Sequence, residues 1–359
     1  MSRSQRLGGI IAMALSMTGM NAASAQDDPP RLSNSVTQAT SVLNADKQSR
    51  VDQYIDYWLA ELAGSSYPEV ISSARARLGE PFRMAGVSDI FTTAYSAAMT
   101  KKLGNALKSD SVLVRINGMI IVEYVIDANA VAMVRDGLED ENVAVRYRAA
   151  KAAGQIALKD QASKKLDQNS KGELLKALLA TMRIEQNFNV REQALIAMQH
   201  LAELPDARTA LLNEINDRLL VQVQNINMRT DAPLVCLRSL YRRLVRLAEK
   251  APKQEIHQII PVAARWLALS ARVLRSQKAE PGAEGQYAKM AELCHTILGW
   301  ACNKCLAPEL ESKAPKDVLD KIKKRNWLEL NLKMEEWKVH LQQQPINIEP
   351  QVITIPQLQ

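Results

Sequence analysis

Glycine and aromatic residues are scarce in these 359 residues. There are 14 Gly, 3 Phe, 8 Tyr and 5 Trp, and no glycine lies between Gly172 and Gly282. A backbone cradle for phosphate needs glycine where the main chain approaches the ligand. The long glycine-free stretch therefore holds no such cradle, and neither a G-x-x-x-x-G-K-[ST] loop nor a G-x-G-x-x-G turn occurs elsewhere. G-x-S-x-G, H-E-x-x-H and EF-hand calcium patterns are missing too. Few aromatics argue against base stacking, so no nucleic-acid partner is expected. Little glycine with much Ala, Leu, Arg, Lys and Gln argues against an all-β fold. The 47% hydrophobic content excludes wholesale disorder.

The N-terminus reads as an address. Arg3 and Arg6 precede an uncharged run from Leu7 to Met20, and small residues follow to Ala23-Ser24-Ala25. This is the three-part pattern of a secretory signal with an A-x-A cleavage site, residues 1–25. The run is too short for an ordinary membrane span. Taking Arg3 and Arg6 off the +7 total leaves +5 for a mature chain from Gln26. No later apolar run reaches spanning length, so the expectation is a Sec-exported protein, periplasmic or extracellular, without a transmembrane helix.

Residues 26–45 are polar and predict a flexible leader. Helices follow with short breaks over 46–344. Val51, Tyr54, Ile55, Trp58, Leu59 and Leu62 fall on one helical face that stops near Gly64. Pro68 suits the first turn of the next helix, ending near Gly79. The polar stretch from Lys159 to Ser170 reads as a longer loop. Pro205-Asp206 starts a helix to about Gln224, and Asp231 with Pro233 starts one to Ala248. Pro252 opens a helix that Pro261 would kink or divide. Pro281 to Gly285 reads as a loop, followed by helices from Gln286 to Leu306 and from Pro315 to Gln342. The last residues, 345–359, carry three prolines among isoleucines and predict an extended or disordered tail.

One local pattern recurs. Asp110 precedes Val114-Arg115, Asp140 precedes Val145-Arg146, and Asn187 precedes Val190-Arg191. Each time a polar cap is followed by a V-R step, a small residue and an apolar helix, with another apolar helix before. This resembles the HEAT/armadillo family of helical repeats over about residues 85 to 205. In that family an Asp opens the second helix of a pair, a V-R step follows and Ala residues line the inter-helix contact. The resemblance implies an all-α solenoid of stacked antiparallel helix pairs and says little about activity. Ala149, Ala150, Ala152 and Ala153 suit it, since small side chains let helix backbones approach. Within it, Arg115, Arg146 and Arg191 are expected to be structural, bonding a neighbouring repeat's carboxylate or helix end.

Four cysteines remain. Cys302 and Cys305 form a C-x-x-C, with Cys294-His295 upstream and Cys236 further back. In an exported protein an even count suggests disulfides. On one helix Cys294 and Cys302 would lie about 12 Å apart, beyond disulfide reach. Disulfides would then be Cys302–Cys305 and Cys236–Cys294. Buried thiols, a metal site or redox work are the alternatives. The pair stands late in a helical run, which counts against redox catalysis. Zinc would need the helix to break at Gly299. No cofactor or metal is assigned. His200, His257 and His340 stand singly and read as ordinary helix residues.

Arg238, Arg242, Arg246 and Lys250 recur every four residues, with Arg243 beside them. On a helix they make a positive stripe. It is the first candidate for a binding surface, with a protein partner expected and weak polyanion binding as a lesser possibility. The expected function is a non-enzymatic, exported protein-binding scaffold. The alternative is a thiol or metal protein built on Cys294, Cys302 and Cys305.

Overall fold

The computed structural model describes residues 29–228, 230–247, 253–306, 315–343, 346 and 348–350. The signal segment 1–25, Lys250 and the end of the tail lie outside the described residues, as do the side chains of 303–306. A short α1 (Asn34–Thr37) precedes helix pairs: α2 (Ala45–Gly64) with α3 (Pro68–Gly79), α4 (Asp89–Leu107) with α5 (Val112–Val122), and α6 (Ala128–Leu138) with α7 (Val143–Ser163). Next come α8 (Gln168–Ile184) with α9 (Phe188–His200), α10 (Pro205–Gln224) with α11 (Asp231–Leu247), and α12 (Lys253–Ser276) with α13 (Pro281–Leu298). The smaller α14 (Val318–Lys323) and α15 (Trp327–Leu341) close the array. No strand occurs among the described residues.

The helix starts follow local chemistry. Asn44, Ser88, Asp127, Asn142, Asp167, Asn187 and Asn326 each accept a hydrogen bond from a first-turn N–H. Each satisfies a donor the helix itself cannot. Proline opens α3, α10 and α13, where its missing N–H costs nothing. At the V-R steps the caps fall later than Asp110 and Asp140. Ser111 precedes α5, and Asn142 caps α7 through Ala144 N–H.

Second helices stack in one row, α3, α5, α7, α9, α11 and α13, each packing on the next. First helices pack along the other side, α2 to α8 and α10 to α12, with α9 meeting both α8 and α10. The core lies between the rows. Ala149, Ala150, Ala152 and Ala153 are all fully buried. Gly154 packs so closely on α9 that an added Cβ would lie 3.5 Å from Ala197 Cα. At Gly137 a Cβ would meet Met119 Sδ at 2.8 Å and Ala149 Cβ at 3.0 Å.

Several boundaries differ from expectation. A short part of the 26–45 leader is packed: Val36, Thr37 and Ala39 are buried, and Ser88 N–H donates to the Thr37 carbonyl at 2.9 Å. The polar stretch after Lys159 is mostly helix. Asp160 is buried in an ion pair with Lys171, which pulls these residues into the structure. Two long helices fill the spacing between Arg146 and Arg191, with only residues 164–167 between them. Pro261 lies inside an undivided α12. Pro281 to Gly285 is the first turn of α13, because proline fits that position. Gly299–Leu306 continues α13 with wider π-type turns, so the chain changes pitch at Gly299 without leaving the helix. The helix expected over Pro315 to Gln342 is interrupted around Arg325, which has left-handed backbone at φ 53°. At the tail's start Ile346 is buried and Ile348 N–H donates to the Leu341 carbonyl at 2.8 Å.

Two glycine substitutions test this packing in opposite directions. Gly137→Val should lower stability by about 1–3 kcal/mol through overpacking. Gly172→Ala, where an added Cβ meets nothing within 4 Å, should raise it by about 0.5–1 kcal/mol. Thermal and urea unfolding read both.

Candidate protein-binding face

Arginines at the fourth helical position hold the second-helix row. Arg115 Nε and Nη2 donate to the Asp140 carboxylate at 2.8 and 3.2 Å, and Nη1 donates to the Ser109 and Asp110 carbonyls. Arg146 repeats the arrangement. It donates to Glu185 at 2.6 and 3.3 Å and to the Asp140 and Glu141 carbonyls at 2.9 Å each. The acceptors are set by the turns. Asp140 Oδ1 also accepts from Asn142 N–H, and Glu185 Oε1 from Asn187 N–H. The Arg146 hydrogen bond holds the buried Glu185 carboxyl below the usual range.

Arg191 departs from this pattern. It donates to Glu214 at 3.0 Å, shares that carboxylate with Arg218, and leaves its buried Nε without a partner. The full arrangement reappears at Arg208, which the V-R pattern misses because Ala207 precedes it. Arg208 donates twice to Glu255 at 2.6 Å, and to the Ala202 and Glu203 carbonyls at 2.9 and 3.0 Å. The signal that finds it is position: Arg115, Arg146, Arg191 and Arg208 each stand four residues after the N-cap.

With these arginines spoken for, the solvent face of α7, α9 and α11 carries two grooves. The first, of about 610 Å³, crosses the N-terminal halves of all three helices. Val143, Tyr147, Ile196 and Val235 give it apolar walls, and Glu192 and Asp231 give it carboxylates. The second, of about 350 Å³, crosses their C-terminal ends. Lys164, His200, Arg242, Arg243 and Arg246 line it beside Leu158 and Glu203. Both grooves touch the same three helices in the same order, so they follow each other along one face.

The structure brings Arg242, Arg243 and Arg246 of the stripe together in the second groove. Arg242 and Arg246 are exposed. Arg243 is half-buried, and its Nε is buried without an acceptor. Arg238 is half-buried and stands outside the groove. Lys250 lies outside the described residues. The one carboxylate in the groove wall, Glu203, is already held by the buried Lys171 at 2.5 Å, and Lys171 also meets Asp160 at 3.0 Å. Gln161 donates to the His200 carbonyl at 2.8 Å and ties the ends of α7 and α9 together. Burial lowers the His200 pKa, favouring the neutral ring. Lys164, His200 and the whole first groove carry no local signature in the sequence, because they converge only when three helices stack.

The cysteine cluster resolves differently from expectation. Cys236, Cys294 and Cys302 are buried, and no bridge joins Cys236 to Cys294. The physical reason is direction: Cys236 Sγ faces α9 and donates to the Leu195 carbonyl at 3.5 Å. The Cys302–Cys305 pairing involves a Cys305 side chain that lies outside the described residues. Burial pushes the Cys236 and Cys294 thiols well up, which disfavours the thiolate needed for metal binding or attack. His295 accepts a hydrogen bond from Trp337 Nε1 at 3.2 Å, and burial pulls it down to about 4. Among the described residues no three His, Cys, Asp or Glu side chains are placed to hold a metal. Nor is any described helix long and apolar enough to cross a membrane.

Fold and face together define an all-α helical-repeat protein. A model of the GCN1-like, C-terminal HEAT repeats matches residues 90–217, so this part of the chain is similar to HEAT repeats. Among solved structures, an engineered protein from the Northeast Structural Genomics Consortium is similar at 15% identity and a TM-score of 0.41, over 69% of this chain and 97% of that one. Kap121p is similar at 14% identity and a TM-score of 0.42, over 88% of this chain and 35% of that one. Kap121p bound to RanGTP gives 13% identity and a TM-score of 0.41 over the same shares. This chain thus spans about a third of Kap121p. No curated protein sequence matches it significantly.

Two measurements check this chemistry. Glu185→Gln leaves Arg146 without its anion and should cost about 3 kcal/mol near neutral pH. Because the folded pKa of Glu185 is depressed, its contribution is complete above the ordinary carboxylate range. It fades as pH falls through the depressed value. The wild-type and variant melting curves should therefore converge in acid. In thiol titration, Cys236 and Cys294 should stay unreacted in the native protein and react after denaturation.

Proposed function

We propose that this chain is an exported, non-enzymatic scaffold that holds a protein partner on the solvent face of α7, α9 and α11. One observation carries the reading. Arg115, Arg146 and Arg208 are saturated by carboxylates and carbonyls. Arg242, Arg243 and Arg246, on the open face, form no ion pair among the described residues. Guanidinium groups left over in a groove favour an anionic partner by charge complementarity. Two adjoining grooves across three helices supply an extended contact of the kind repeat arrays use. The signal pattern of residues 1–25 supports the exported setting, where the mature chain would begin at Gln26.

Affinity capture from the exported fraction tests the face. The triple reversal Arg242→Glu, Arg243→Glu and Arg246→Glu should lose the captured partner. Lys101→Glu, on an exposed position of α4, should keep it. Equal capture by both variants overturns the assignment. N-terminal sequencing of the exported protein should begin at Gln26, and an intact Met1 there would remove the export reading.

A further inference from the structure

We propose that the partner presents an extended acidic-plus-apolar peptide segment, with carboxylates among Arg242, Arg243 and Arg246 and an apolar side chain between Tyr147, Ile196 and Val235. The proposal rests on the protein-binding reading above and narrows it to a recognisable sequence pattern.

The polarity of the two grooves selects the ligand. The second groove offers the guanidinium groups of Arg242, Arg243 and Arg246, of which Arg242 and Arg246 are exposed. Lys164, Arg242, Arg243 and Arg246 stand against a single lining carboxylate, Glu203, so an entering anion meets net positive charge. The first groove reverses the character, with apolar walls and the carboxylates Glu192 and Asp231. A polymer of uniform negative charge fits one end and is repelled at the other. A peptide can change character along its length. The side-chain amides of Gln161, Gln199 and Gln193 and the Ser239 hydroxyl lie along the same path and suit peptide N–H and C=O groups.

The spacing is set by the helices. From Val235 to Arg242 along α11 is about 10 Å, and from Tyr147 to Leu158 along α7 about 16 Å, at 1.5 Å per residue. An extended chain advances about 3.3 Å per residue. The apolar anchor therefore lies about three to five residues from the acidic cluster.

Fluorescence anisotropy with synthetic peptides tests this. The probes are a glutamate cluster with a leucine four residues away, the same composition with leucine adjacent to the cluster, oligoglutamate, and a DNA oligonucleotide. The spaced peptide should bind tightest. Arg243→Gln should weaken it at least about tenfold, the scale of one charge-assisted hydrogen bond. Val235→Lys should weaken the spaced peptide and leave or improve oligoglutamate. Unchanged melting temperatures separate these effects from misfolding. Equal binding of spaced peptide and oligoglutamate, or tighter binding of DNA, overturns the proposal. If the spaced peptide fails while the triple reversal still abolishes capture, the peptide class is wrong and the binding face stands. If capture also survives the reversal, the face itself is wrong.

Discussion

An arginine four residues into a helix, donating back to the turn it has just left and across to the next repeat, is the constraint on which this array depends. Turn carbonyls before a helix have no helical donor and need one when partly buried. The side chain at the fourth position reaches back over them, and its other donors meet the carboxylate of the following turn. That carboxylate in turn accepts from the backbone two residues on. Each unit thus ties its own turn to its neighbour's. Paired buried charges add little net stability over an apolar contact, whereas breaking a pair is costly. The arrangement therefore sets the spacing and rotation of successive pairs, while apolar burial between the rows supplies the stabilisation.

At Arg208 the arrangement changes helix row. Arg115 and Arg146 sit on second helices, but Arg208 sits on a first helix and reaches Glu255 at the start of α12. Antiparallel pairing puts that tie at the opposite edge of the array, where second helices end. The Asp160–Lys171–Glu203 cluster lies at the same edge. Its consequence reaches the candidate site directly. Lys171 occupies the Glu203 carboxylate, and Arg208 occupies the Glu203 carbonyl. The groove beside them is positive because Lys164, Arg242, Arg243 and Arg246 outnumber its single lining carboxylate.

What the sequence discloses follows from the range of the forces involved. Helix starts, the alanine-lined α7 and the V-R steps depend on neighbours within a turn, so they can be read in order along the chain. The arginine stripe on α11 is legible for the same reason. The carboxylates that meet Arg115, Arg146, Arg191 and Arg208 lie 25, 39, 23 and 47 residues away, at intervals without a fixed period. The first groove takes side chains from three helices whose alignment is a product of those ties. The cysteine pairing failed on direction: spacing along a helix limits which thiols can meet, but Cys236 turns its sulfur toward α9. The expected loop after Lys159 failed because polar residues were read as solvated, whereas Asp160 and Lys171 satisfy each other inside.

The groove arginines separate by how far stability alone accounts for them. Arg246 stands in the last turn of α11, where a cation interacts favourably with the carbonyl end of the helix, worth about 0.3–1 kcal/mol. Arg242 and Arg243 stand a turn earlier, beyond most of that effect. Arg243 also buries Nε without an acceptor, and an unmet buried donor costs about 1–3 kcal/mol. Arg208 at this edge has its acceptors supplied by the fold, while Arg191, Arg218 and Arg265 each bury one unpartnered nitrogen as Arg243 does. What sets the groove arginines apart is that three of them line one open groove with no ion pair among the described residues. An acidic residue of a bound segment would neutralise these neighbouring charges with charge-assisted hydrogen bonds. It would gain most where scaffold anions are already committed, and the second groove meets that condition because Lys171 holds Glu203.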